Sequence, residues 1–153
     1  MSQRKYVSLD PGGTTGWAVR DPDGTFRHGV FEGEDHHLDL WKFLQDQVFR
    51  GDLANTSVQI ICEKFNYQRR QLDKGVNLVL ISRNYIGIVE LFSQMYAIPL
   101  YMSQVANKEF FNNKNLRDLN LYYPTEHERD AVSHLLWYLT NIEKDHQYLQ
   151  VKR

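Results

Sequence analysis

The chain has 153 residues, a length that suits one domain built around one core. Hydrophobic residues make up 42%, which excludes a disordered chain, and no apolar run approaches the roughly 20 residues that a membrane span needs. The net charge of −1 hides an uneven distribution: residues 21–63 carry nine acidic and three basic side chains, residues 64–117 eight basic and three acidic. That split fits either a solvated surface or a basic face that meets nucleic acid. The single cysteine, Cys62, forms no internal disulfide and supports no cysteine-based metal site. The opening residues Met1-Ser-Gln-Arg-Lys5 contain no signal-peptide apolar region, so a reducing cytoplasm is the expected compartment.

Tyr6-Val-Ser-Leu-Asp10 is an apolar run that predicts a buried strand ending in a carboxylate, and Pro11-Gly12-Gly13 breaks it. Gly16 to Arg20 and Thr25 to Phe31 predict two more strands, joined by the turn Asp21-Pro-Asp-Gly24 into an antiparallel meander. Leu38, Leu40, Trp41, Leu44, Val48 and Phe49 mark a helix over 37–49. Val58-Gln-Ile-Ile-Cys62 predicts a strand covered on both faces and ending at Glu63. Residues 65–75 predict a polar, basic loop with aromatics. Leu78, Ile81, Tyr85, Ile88, Val89, Phe92 and Met95 then mark a long buried helix, with Gly87 allowing close packing. Ile98 to Met102 predicts a fifth strand, with Pro99 tolerated near its start. Ser103 is expected to cap a short helix through Phe111, and Asn113 another through Leu119. Thr125-Glu-His-Glu128 is a capping box that opens a last helix ending near Asn141. Trp17, Trp41 and Trp137 are assigned to the core. This order predicts the α/β class: one domain over 1–153, with a mixed five-stranded sheet flanked by helices on both sides.

Three acids stand out by position. Asp10 and Glu63 close buried strands, where a carboxylate is costly unless solvated or paired with a cation, and Asp130 lies in the opening turns of the last helix. Neighbouring strands would bring two such acids within a few ångströms, a repulsion that a divalent cation relieves. An oxygen donor set suits Mg²⁺ or Mn²⁺, and two such ions about 3.5–4 Å apart are the usual apparatus of phosphodiester hydrolysis. His127, Asp130 and His134 lie along one helix face. Taken alone, Asp130 also fits an ordinary first-turn acid complementing the helix dipole, and His134 a helix histidine bonded to a neighbour. Glu126 and Glu128 fit capping charges. In Asp10-Pro-Gly-Gly-Thr-Thr-Gly16 the glycines would let backbone approach a phosphate, with Thr14 and Thr15 as donors; a plain hairpin turn is the alternative.

Val7-Ser-Leu-Asp-Pro-Gly-Gly-Thr-Thr-Gly-Trp17, Ile60-Ile-Cys-Glu63, and His127-Glu-Arg-Asp-Ala131 with His134 together resemble the three acidic motifs of RuvC-type Holliday junction resolvases. The run from Glu126 to His134 most resembles their phage-encoded branch, which would act in a bacterial host cytoplasm. The resemblance implies a ribonuclease H-like fold, a homodimer, and symmetric nicking of four-way DNA junctions with Mg²⁺ or Mn²⁺. It carries over Asp10, Glu63 and Asp130 as catalytic metal ligands. His127 stands where many relatives place a fourth acid, a place imidazole can take as a ligand. Lys108 is matched to the basic residue that relatives place after the fifth strand.

The segment Lys64-Phe-Asn-Tyr-Gln-Arg-Arg-Gln-Leu-Asp-Lys74 follows Glu63 directly. Its interleaved aromatic and basic residues suit DNA binding, with Phe65 and Tyr67 stacking on bases and Lys64, Arg69, Arg70 and Lys74 meeting phosphates. In the alternative, Phe65 and Tyr67 fill core space. Lys114 and Arg117 lie in a basic stretch that could flank the same groove, and Lys108 is expected to hold DNA together with them. Three other functions fit parts of this pattern: a nuclease acting on RNA or RNA–DNA hybrid, an actin-like ATP-binding module, and a non-catalytic junction-binding protein. The apolar helix from Leu78 to Tyr96 is the expected dimer interface; the alternative is that both its faces are buried within one subunit, between sheet and neighbouring helix.

Overall fold

A computed structural model describes residues 3–33, 35–50, 56–65 and 76–152. Tyr67, Arg69, Arg70 and Lys74 lie outside the described residues. The chain opens with β1 (Gln3–Asp10), β2 (Thr15–Arg20) and β3 (Phe26–Phe31), paired antiparallel in succession. The β2–β3 turn closes because Gly24 takes φ +91° and Asp23 accepts from both the backbone N–H and the hydroxyl of Thr25. Helix α1 (His37–Phe49) crosses to β4 (Thr56–Glu63), which pairs parallel to β1, and α2 (Val76–Tyr96) crosses to β5 (Leu100–Ser103), parallel to β4. The sheet order is β3-β2-β1-β4-β5. A 3₁₀ helix (Val105–Phe110), α3 (Asn113–Asp118), α4 (Glu126–Asn141) and a second 3₁₀ helix (His146–Lys152) follow. None of the described helices is long and apolar enough to cross a membrane.

Strand alternation sorts the core into two layers. Tyr6, Ala18 and Ile61 turn to the α4 face, under Ala131, Val132, Leu135, Leu136 and Leu139. Val7, Leu9, Val19, Ile60 and Cys62 turn to the other face, under Leu40 and Leu44 of α1 and Tyr85, Val89 and Phe92 of α2. Helices therefore flank the sheet on both sides, as the element order predicts. Trp17, Trp41 and Trp137 are partly buried against these clusters.

Two predicted caps shift by one residue. Ser103 ends β5, and Gln104 takes the N-cap position of the 3₁₀ helix without a side-chain capping bond; Asn112, not Asn113, caps α3, in a reciprocal box with Asn115. The Thr125–Glu128 capping box of α4 is present as expected.

α4 meets β2 at the level of backbone. A Cβ on Gly16 would lie 2.1 Å from the carbonyl oxygen of His127 and 2.8 Å from the amide nitrogen of Glu128. Real Cβ contacts are never that short, so only glycine lets the first turn of α4 reach the sheet. Gly29 is tight for a different reason: its Cβ would meet the Trp17 ring at 2.6 Å, an obstacle made of side chain. Gly16→Ala should therefore cost about 3 kcal/mol and Gly29→Ala about 1 kcal/mol, since a ring can turn aside and a helix backbone cannot. Thermal unfolding of the two variants checks this, and equal melting temperatures would contradict it.

Candidate metal centre

Asp10 shares the α4 face with Tyr6 and Ser8, and Glu63 shares it with Ile61, because side chains two apart on a strand point the same way. β1 and β4 run parallel with Leu9 opposite Cys62, so both acids leave the same edge of the sheet side by side. α4 supplies the third. The Ser8 hydroxyl donates to the carbonyl of Ala131 at 2.7 Å, fixing the helix next to Asp130. One oxygen each of Asp10, Glu63 and Asp130 lie within 4.8 Å of one another.

A basic side chain contacts each acid. Lys108 donates to Asp130 at 2.9 Å, His127 Nδ1 lies 3.1 Å from Asp10, and His134 Nε2 lies 3.1 Å from Glu63. The acids are little exposed: 13% for Asp10, 14% for Glu63 and 21% for Asp130. Burial, opposed by the His127 bond and reinforced by the charges of Glu63 and Asp130, pushes the Asp10 carboxyl up to about 7. Burial also acts on Glu63, but bonds from His134 and Asp10 and the charges of His134 and Lys108 hold it below its ordinary value. The bond to Asp10 raises His127 despite partial burial. Burial alone would lower Lys108; Asp130 and the other acids raise it.

A directed chain of hydrogen bonds holds Glu63. The Asn107 amide donates to Ser103 Oγ at 3.1 Å, which lies 2.7 Å from Nδ1 of the fully buried His134. With the serine proton given to Nδ1, the histidine proton sits on Nε2 and points at the Glu63 carboxylate. Spacing alone placed His134 on the right helix face; that Ser103 and Glu63 both meet it depends on β4 and β5 being adjacent.

The other sequence candidates separate. Lys108 joins the acid cluster rather than the basic flank. Lys64 is exposed, and Phe65 packs partly buried against the α1–α2 cluster, at a cavity of about 730 Å³ that Arg83 and Met102 also line. Lys114 pairs with Asp118 at 2.7 Å, and Arg117 lies over the Tyr122 ring. Thr15 does not face a ligand: its buried hydroxyl lies 2.7 Å from His36 Nε2 and 3.3 Å from the Gly12 amide, which ties the turn after Asp10 to α1. Glu128 adds to its capping role a 2.7 Å contact with His28 on β3. No sequence signal marked His28 or His36, since each acts through a strand distant in sequence.

Oxygen ligands at this separation, with three carboxylates against one lysine, fit a hard divalent cation. No protein-family model and no curated protein sequence matches the chain. Solved structures do. RuvC of Thermus thermophilus in complex with a Holliday junction substrate is similar with a TM-score of 0.66 at 14% identity, over 93% of this chain and 96% of that one. A second Thermus thermophilus RuvC structure gives 0.61 at 14% identity, over 92% and 96%. The chain has the RuvC-like, ribonuclease H-like fold.

Stability without metal should follow Asp10. Its carboxyl ordinarily titrates near 3.8 and is raised in the folded chain to about 7. The folded state thus holds this proton more tightly, and the stability it lends is full below about pH 4 and lost as pH rises through 7. Asp10→Asn, which keeps the shape and drops the charge, should melt higher than wild type at pH 8 in metal-free buffer. The gain should be about 2–4 °C for each kcal/mol of relieved strain, and should vanish near pH 4. Identical melting of the two proteins at pH 8 would contradict this.

Proposed function

We propose that this protein is a metal-dependent DNA endonuclease that resolves four-way junctions. The observation that carries the reading is the meeting of Asp10, Glu63 and Asp130 at one sheet edge in a chain of RuvC-like fold. The structural neighbour bound to a Holliday junction substrate supports the choice of substrate. In this reading the three acids, with His127, hold Mg²⁺ or Mn²⁺, two ions per site. Such ions, when bound, activate the attacking water and stabilise the leaving oxygen.

The chain's own groups do the rest. His134 holds one oxygen of Glu63, which leaves the other for the ion. Lys108 reduces the negative charge that a phosphodiester meets on approach, and is placed to contact the phosphate once Asp130 turns to a metal. DNA is gripped by the segment from Lys64 to Lys74 together with Lys114 and Arg117. The run from Glu126 to His134 supports a reading within the phage-encoded branch of these resolvases.

A four-way junction has two-fold symmetry, so paired cuts need two sites related by a matching axis. The described residues of one chain supply one acid cluster, and a homodimer supplies the second. Leu80, Leu91 and Met95 of α2 are 50%, 56% and 64% exposed, an apolar surface that suits the interface.

A labelled four-way junction incubated with Mg²⁺ or Mn²⁺ tests the proposal. Two symmetric nicks on opposing strands are expected, from a species of twice the chain mass. Asp10→Asn, Glu63→Gln and Asp130→Asn should each lower cleavage by about a thousandfold or more while junction binding persists. His127→Asp should retain activity that His127→Ala largely loses. Faster cutting of RNA–DNA hybrid than of the junction would redirect the reading to a ribonuclease, and full activity in an acid variant would remove that acid from the site.

A further inference from the structure

The connection between α3 and α4 gathers two arginines on one ring. The guanidinium carbon of Arg117 lies 4.2 Å from the centroid of Tyr122, and that of Arg129 lies 4.6 Å from the same centroid. Arg129 is fixed further by its own donors: Nη1 gives hydrogen bonds to the carbonyls of Tyr123 at 2.9 Å and Pro124 at 3.2 Å. Arg117 is exposed, and Tyr122 is 37% exposed, so the pair is open to solvent.

Among the described residues no carboxylate bonds either guanidinium. Asp118, next to Arg117, is engaged by Lys114 at 2.7 Å. Glu128, next to Arg129, is engaged by Thr125 and His28. An aromatic face attracts each cation but does not cancel the repulsion between them. A phosphate that approaches the pair from solvent does. Guanidinium is the side chain whose planar fork matches a phosphate, and here both forks are held before any ligand arrives. The exposed part of the Tyr122 ring adds an apolar surface for a sugar or an unstacked base.

The location suits a strand that runs on from the acid cluster. Arg129 immediately precedes Asp130 on α4, so their Cα atoms are ~3.8 Å apart while the side chains diverge by about 100°. We infer that Arg117, Tyr122 and Arg129 form a phosphate-binding station for the DNA backbone flanking the cut, an assignment that rests on the nuclease reading above. Neither Tyr122 nor Arg129 belongs to the basic segments picked out by charge along the sequence.

Binding of a fluorescent four-way junction to the full chain, without divalent cation and across about 50–200 mM salt, tests the station. Arg117→Gln with Arg129→Gln should weaken binding at the lowest salt by roughly tenfold or more and reduce the log–log salt slope by about two. Arg117→Gln alone, which gives up only a ring contact, should reduce the slope by about one, and serves if the double variant does not fold. Lysines at both positions should restore the slope but not the full affinity, because the charge returns without the fork. Lys42→Gln, on α1 across the sheet, should leave the slope unchanged. Wild-type slope and affinity in the folded glutamine variants would overturn the station and leave the nuclease reading standing. Failure of the wild-type chain to bind any junction would overturn both.

Discussion

The first turn of α4 rests on the bare backbone of Gly16, and the acid cluster depends on that close approach. Gly16 is the strand partner of Asp10, so the pair of residues that delivers the first acid also provides the seat for the helix that delivers the third. The helix is tied to three strands in turn: to β2 by contact at Gly16, to β1 through Ser8 and Ala131, and to β3 through His28 and Glu128. Side-chain alternation then does the aiming. A shift of one residue in β1 or β4 would send its carboxylate into the α1–α2 layer instead.

What this arrangement holds together is electrostatically costly. Three carboxylates share a space a few ångströms wide, and burial adds to their repulsion. Each neighbour answers one acid: Lys108 meets Asp130, His127 meets Asp10, and His134 meets Glu63. These contacts reduce the strain without cancelling it, since two of the three are histidines and only one is a permanent cation. A fold that retains such strain at one place and packs well elsewhere has the profile of a site built for a ligand that brings positive charge. The Asn107–Ser103–His134 chain gives Glu63 one fixed orientation, which a carboxylate on a strand end would not otherwise have.

Much of this was legible in the amino-acid order. Apolar runs ending in Asp10 and Glu63 marked two central strands, the turn residues Asp21 to Gly24 marked the first hairpin, and Thr125 to Glu128 marked the start of α4. Each of these signals is local, carried by residues a few positions apart. What stayed hidden depends on contacts between distant segments. Gly16 looked like a phosphate-approach glycine because its true neighbour, the backbone of His127, lies more than a hundred positions away. Ser103 looked like a helix cap because a hydroxyl at the end of a strand gives no hint that a buried histidine will bond it. Resemblance alone matched Lys108 to a basic residue after the fifth strand; its bond to Asp130 depends on the 3₁₀ helix lying against α4. The Arg117–Tyr122–Arg129 stack crosses a loop and two helices, so no window of sequence contains its geometry.

The central claim is that Asp10, Glu63 and Asp130 together bind a divalent cation. Crystals grown or soaked with Mn²⁺ and measured for anomalous scattering address it without reference to any substrate. The account predicts a peak among the three carboxylates, with Mn–O distances of about 2.2 Å to each, and loss of that peak in Asp10→Asn. A fully occupied Mn²⁺ elsewhere on the chain, with the three acids still bonded only to Lys108, His127 and His134, would contradict it.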